Sequence, residues 1–97
     1  FHRGVDFALE AGTPVRSVNA GKVVFSGEQG GFGNTVVVES ADGTKIRYAH
    51  LKELSVRTGE EVEEGASLGA VGSTGRSTGP HLHVEVENHG RLVNPLI

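Results

Sequence analysis

The side chains of this sequence most able to do chemistry are histidines, in three places along the chain. The first is His2 and Asp6, four residues apart with Gly4 between them. In an extended segment His2, Gly4 and Asp6 share one face, and Val5 and Phe7 take the other, toward a core. Four extended residues span about 13 Å, a long reach for two side chains on one ion. The segment is therefore predicted to bend at Gly4, whose missing side chain leaves room for a metal. The second place is the alternation His81, Leu82, His83, Val84, Glu85, Val86, Glu87. It sets His81 and His83 on one strand face, with Cα atoms about 6.5–7 Å apart, close enough to serve one site. A run without bulky side chains from Gly72 to Pro80 precedes it and suits a loop shaping the mouth of a cleft. The third is His50, near the end of a predicted strand; strict alternation would give it the same face as Tyr48. His89, in a turn beside Gly90, reads as a surface residue.

His2, Asp6, His50, His81 and His83 together offer four imidazoles and a carboxylate, a set better suited to zinc than to calcium or magnesium. With two His and one Asp as ligands, the fourth position of a tetrahedral zinc stays open to water, which is the catalytic arrangement. With His2, Asp6, His81 and His83 all bound, the site closes and is structural. Spacing alone leaves both open. In the open case the metal lowers the pKa of its water to about 7, and the histidines left over can move protons or steady an oxyanion.

The elements that must hold these residues are strands. The chain has 97 residues, 15 Gly, 3 Pro and no Cys, Met or Trp. Gly and Pro recur about every fifth residue, and the Val-rich segments between them alternate with period two, which reads as all-β. Strands are predicted over 4–8, 15–18, 22–26, 35–39, 45–49, 67–71 and 82–87, with turns over 28–33 and 41–43. Asp42-Gly43 between two alternating runs is the signal of a primed hairpin turn. Residues 50–54 alone hint at helix, for one turn. Two Gly-bounded segments, Gly12, Val15, Gly21, Val23 and Gly59, Val62, Gly65, Leu68, resemble each other and suggest a duplicated β motif.

Composition excludes several classes. A net charge of −3 and the lack of any Lys/Arg run give no field for attracting nucleic acid. Uninterrupted apolar stretches reach only three residues, against the roughly 20 of a membrane-spanning helix. Without Cys there are no thiolate metal sites or thiol nucleophiles, so any metal is held by His and carboxylates. With no initiator Met and no signal-peptide pattern, the sequence reads as a mature or excised piece, any export signal lying upstream. The size fits one domain.

The motifs H-R-G-V-D at 2–6, Y-A-H-L at 48–51 and S-T-G-R-S-T-G-P-H-L-H-V-E-V at 73–86 resemble those of peptidase family M23, the LytM or lysostaphin-type domain. G-T-P-V at 12–15, F-G-N-T-V-V-V at 32–38 and N-P-L at 94–96 extend the resemblance over nearly the whole chain. It implies a compact antiparallel β fold, a sandwich or roll with a groove for the metal. It also implies zinc, and cleavage of peptide bonds in the stem cross-links or bridges of bacterial peptidoglycan, outside the cytoplasm. By the family's H-x-x-x-D and H-x-H motifs, His2, Asp6 and His83 would be the zinc ligands. His81 would be the general base toward the zinc-bound water, and His50 a second catalytic histidine that orients substrate and stabilises charge. Family domains usually carry a further strand upstream, in an S-x-F-G-x-R-like segment, whereas Phe1 directly precedes His2; residues 1–97 are thus expected to be the peptidase domain without that edge.

Two other functions are weighed. Non-enzymatic domains of the same type, which regulate cell-wall amidases or scaffold division, typically lack one or more of the five site residues, and all five are present. The segment 62–68 after Gly59 is also similar to half of a lipoyl or biotinyl carrier motif. A carrier needs its modified lysine at a hairpin tip, and Lys22, Lys45 and Lys52 fall in or beside predicted strands.

Overall fold

The computed structural model describes residues 4–75, 79–88 and, for the main chain alone, 91–93. Among these residues nine strands follow one another: β1 (Val5–Phe7), β2 (Pro14–Arg16), β3 (Gly21–Glu28), β4 (Asn34–Glu39), β5 (Lys45–Leu54), β6 (Glu61–Val62), β7 (Ser67–Val71), β8 (Leu82–Asn88) and β9 (Arg91–Val93). A single 3-10 turn, Gly30–Phe32, lies between β3 and β4. All the pairings are antiparallel, so the all-β antiparallel expectation holds. No helix among the described residues is long and apolar enough to cross a membrane.

The strands run in the order β1-β8-β5-β4-β3-β6, and β7 bridges β2 and the far end of β5. Val36, Val38, Ile46, Tyr48, Leu51, Leu68, Val71 and Val84 meet in one core cluster. Val36 with Val38 and Ile46 with Tyr48 are the inward halves of their alternations, because successive side chains in a strand point to opposite faces. The faint sequence repeat also has a structural counterpart. In the first copy β2 precedes β3, and in the second β6 precedes β7; β2 pairs with β7 and β3 with β6, so each copy's first strand joins the other's second. Lys22, Lys45 and Lys52 all stand within strands, none at a hairpin tip.

Several local expectations are corrected. Residues 50–54 continue β5 and form no helix. At this point β5 changes partners, from β4 and β8 to β7, and the extended form lets Leu51, Glu53 and Leu54 pair with β7. The two- and three-residue strands β6 and β9 are too short to show a period. At the 41–43 turn only Gly43 has positive φ, 87°, whereas a type I′ turn at Asp42-Gly43 needs it at both residues and a type II′ turn at the first. The loop instead closes with Gly43 N–H on Ser40 O at 3.0 Å and Ser40 N–H on Thr44 O at 2.9 Å, the three-residue form with a left-handed glycine. Phe7 takes the face of its partner Leu82, as expected, yet remains 37% exposed because β1 is an edge strand.

Candidate metal and catalytic site

The site lies on the sheet face opposite the core. In the register of β1, β8 and β5, Asp6 sits across from His83, and His83 across from Ala49. Their neighbours Val5, Val84 and Tyr48 turn to the other side. Asp6 Oδ1 lies 2.7 Å from His83 Nδ1 and 3.4 Å from His81 Nε2. The pairing of H-x-x-x-D with H-x-H is thus made by strand register across 77 residues of sequence. His2 lies outside the described residues.

Gly4 explains how β1 comes so close. A Cβ there would stand 2.5 Å from Val84 O, 2.8 Å from Glu85 Cγ and 3.0 Å from His83 Cε1. The space left by the missing side chain is filled by the histidine itself and by the strand that carries it.

His50 reaches the site by a route that strict alternation does not provide. Tyr48 is buried in the core, where its hydroxyl accepts the Val18 N–H at 2.9 Å. His50 would follow it there, but has φ of 63°, the left-handed region. Side chains other than Gly, Asn and Asp rarely adopt it, at a cost of about 1–3 kcal/mol. The turn swings His50 away from Tyr48's face and returns Leu51 to the core. The shared face expected for Tyr48 and His50 is therefore corrected. The His50 ring centre comes within 4.8 Å of that of His81 and 6.1 Å of that of His83.

Hydrogen bonds separate the three rings by role. His50 Nδ1 lies 2.6 Å from Thr74 O, and His81 Nδ1 lies 2.9 Å from Gly79 O. A carbonyl can only accept, so each Nδ1 carries its proton, and in the neutral ring the lone pair is on Nε2. His83 is turned the other way, its Nδ1 toward Asp6 and its Nε2 3.1 Å from Glu85 Oε2. Burial alone would depress its pKa, but the hydrogen bonds to Glu85 and Asp6 and the charges of both outweigh that, and the net shift is upward from 6.5. In the metal-free protein a proton is thereby favoured where two carboxylates face one ring.

Residues that the sequence alone did not single out complete the site. Glu85 is 8% exposed and binds Arg47 Nη1 through Oε1 at 2.8 Å. Arg47 also donates through Nε to Gln29 Oε1 at 3.1 Å, and its guanidinium lies 5.0 Å from the Phe32 ring centre. Thr74 ties the cleft loop to the sheet, with Oγ1 donating to Leu51 O at 2.8 Å and accepting from Asn34 N at 3.1 Å. Glu85 was within reach of the alternation, two residues beyond His83; Arg47 could be found only from the cross-strand register.

No three His, Asp or Glu among the described residues by themselves form a group that could hold a metal ion. Asp6 and His83 supply one oxygen and one nitrogen side by side, a donor pair of the kind zinc takes, with room for a further ligand on the exposed side of Asp6.

The sequence profile of Peptidase family M23 matches residues 1–95. The chain is 48% identical over 95 residues to the DD-carboxypeptidase/endopeptidase Mpg of Neisseria meningitidis and 42% identical over 95 residues to the peptidoglycan DD-endopeptidase ShyA of Vibrio cholerae. In both cases 98% of this chain is covered and 22% of the relative, so the chain spans about a fifth of the length of these curated relatives. Among solved structures, the catalytic domain of the antimicrobial peptidase lysostaphin from Staphylococcus simulans matches with a TM-score of 0.95 at 36% identity, over 99% of this chain and 77% of that one. A zinc containing peptidase from Vibrio cholerae matches with a TM-score of 0.90 at 42% identity, over 95% of this chain and 28% of that one. With a profile match over almost its full length and relatives this similar, the chain belongs to peptidase family M23.

Proposed function

We propose that the protein is a zinc-dependent endopeptidase that hydrolyses peptide bonds in the stem cross-links or bridges of bacterial peptidoglycan, acting outside the cytoplasm. The observation that carries this reading is the contrast among the histidines: His83 turns Nδ1 to Asp6, while His50 and His81 donate their Nδ1 protons to carbonyls. Asp6 and His83, with His2, would hold the metal. Zinc bound there supplies Lewis acidity toward the scissile carbonyl and acidifies a water.

The remaining work falls to the protein's own groups. The neutral His81 ring offers its Nε2 lone pair as a general base, because Gly79 O holds the proton on Nδ1. The proton taken at Nε2 can then be passed to the leaving amine. His50, its ring oriented by the Nδ1–H bond to Thr74 O, is placed to position the substrate and steady the charge that develops on the carbonyl oxygen.

The test is digestion of purified bacterial cell walls with and without a zinc chelator, with released peptides read by mass spectrometry. Chelator-sensitive release of uncross-linked stems supports the proposal and names the bond. Stoichiometric zinc without any release contradicts it and favours a non-enzymatic regulator of cell-wall amidases.

A further inference from the structure

We infer that Glu85, clamped by Arg47, is a positioning residue that fixes the ring of His83 so that Nδ1, not Nε2, faces the metal site. The inference rests on the reading of His83 as a zinc ligand and adds to it the groups that orient that ligand.

A histidine can bind a metal through either nitrogen, and the hydrogen bond made by the other decides which. Here Nε2 of His83 is 3.1 Å from Glu85 Oε2. A carboxylate accepts only, so this contact keeps a proton on Nε2, and the proton that Asp6 holds on Nδ1 at 2.7 Å is the one a metal shared with Asp6 would displace, leaving Nδ1 as the coordinating atom. Glu85 is well placed for that task. It stands two residues after His83 on the same strand face, is nearly buried, and its other oxygen is taken by Arg47 at 2.8 Å. Arg47 is directly opposite Glu85 in the β5–β8 register.

Arg47 is itself held from a third element. Gln29 Oε1 accepts from its Nε, and the Phe32 ring lies against its guanidinium. Phe32 also stacks toward His83, with ring centres 6.1 Å apart and planes 29° from parallel. The 29–32 segment, β5 and β8 thus converge on one imidazole. On its remaining side lies Gly4, so close that a Cβ there would stand 3.0 Å from His83 Cε1 and 2.8 Å from Glu85 Cγ. The charges are matched as well. With Arg47 at Oε1 and the imidazole N–H at Oε2, each oxygen of the buried Glu85 carboxylate has a donor. Removing it frees the imidazole to change tautomer and leaves Arg47 without its partner.

The experiment measures zinc affinity of the protein by competition with a chromophoric chelator, for wild type, Glu85→Leu and Glu85→Gln, alongside the His83 imidazole signals in a ¹H–¹⁵N spectrum of zinc-loaded wild type. Expected are a loss of about 10- to 100-fold in affinity for Glu85→Leu, partial recovery in Glu85→Gln, whose amide oxygen can still accept from Nε2–H, and a slowly exchanging proton on His83 Nε2. Wild-type affinity in a folded Glu85→Leu protein would overturn the inference. So would a zinc-loaded His83 that carries its proton on Nδ1, an outcome readable without any variant. If wild type itself binds no zinc, the underlying reading of the site fails, and this is distinguishable from a wild type that binds zinc regardless of Glu85.

Discussion

Gly4→Ala is a one-carbon change whose consequences can be worked through from the structure. The added Cβ would lie 2.5 Å from the carbonyl oxygen of Val84, 2.8 Å from Glu85 Cγ and 3.0 Å from His83 Cε1. Ordinary contacts of this kind are about 3.5 Å, so something must move by about 0.5–1 Å. The nearest obstacle is backbone, in a strand paired on both sides, and it cannot swing aside as a side chain can. The partner that can yield is β1, a three-residue edge strand that among the described residues is bonded to β8 alone. Displacing it carries Asp6 away from His83, and a shift of that size stretches the 2.7 Å contact to about 3.2–3.7 Å, the outer limit of a hydrogen bond and beyond. Overpacking of this size costs about 1–3 kcal/mol, which for a domain of this length lowers Tm by about 4–8 °C per kcal/mol. Misplacing a metal ligand or catalytic group by about 1 Å costs about 100-fold in rate. The expected result is therefore a folded protein with modestly lowered Tm and disproportionately lowered zinc affinity and cell-wall cleavage. Denaturation of the metal-free form and chelator competition on the same preparation read both. At Gly79, where a Cβ meets nothing within 4 Å, Ala is expected to leave Tm within about 1 °C. Unchanged Tm and zinc affinity in Gly4→Ala would refute the argument that the close approach of β1 builds the site.

Other predictions follow from single observations. Tyr48→Phe removes the buried hydroxyl that accepts the Val18 N–H; it should cost about 1–2 kcal/mol in denaturation and leave the rate of cleavage per folded molecule unchanged, because Tyr48 faces the core. His83 has a folded-state pKa raised above 6.5 in the metal-free protein, so its stabilising contribution is complete below that value and is lost as pH rises through the folded pKa. Urea titrations of the metal-free protein from pH 5 to 8 should show this decline, and His83→Gln should remove it; a His83-dependent rise over that range contradicts the pairing with Glu85 and Asp6. Cleavage by the zinc-loaded protein should instead fall in acid, as protons compete for ligand and base nitrogens, and a flat rate from pH 5 to 8 is inconsistent with both roles.

Much of this architecture was legible in the sequence because period-two alternation and glycine placement are local signals. The His81–Val86 alternation follows from strand geometry, whereas the space at Gly4, expected to admit a metal, is filled by His83 and β8, and Asp6 meets His83 only through the β1–β8 register. His50 shows where local reasoning ends. Nothing in Tyr48-Ala49-His50-Leu51 announces a left-handed histidine, which exists because β5 changes partners there, a tertiary demand that overrides alternation. The same change of partners turns an apparent helical turn into strand. Glu85 looked like one more solvated carboxylate on a polar face. Its partner Arg47 is 38 residues away, and only the β5–β8 register sets them side by side.

The division of labour between His81 and His83 is the center of the account, and one measurement tests it: zinc content and cell-wall cleavage determined together on His81→Ala and His83→Ala. The account predicts that His81→Ala keeps its zinc and loses hydrolysis, whereas His83→Ala loses both. A zinc-free His81→Ala beside a zinc-bound His83→Ala would reverse the assignment and contradict it.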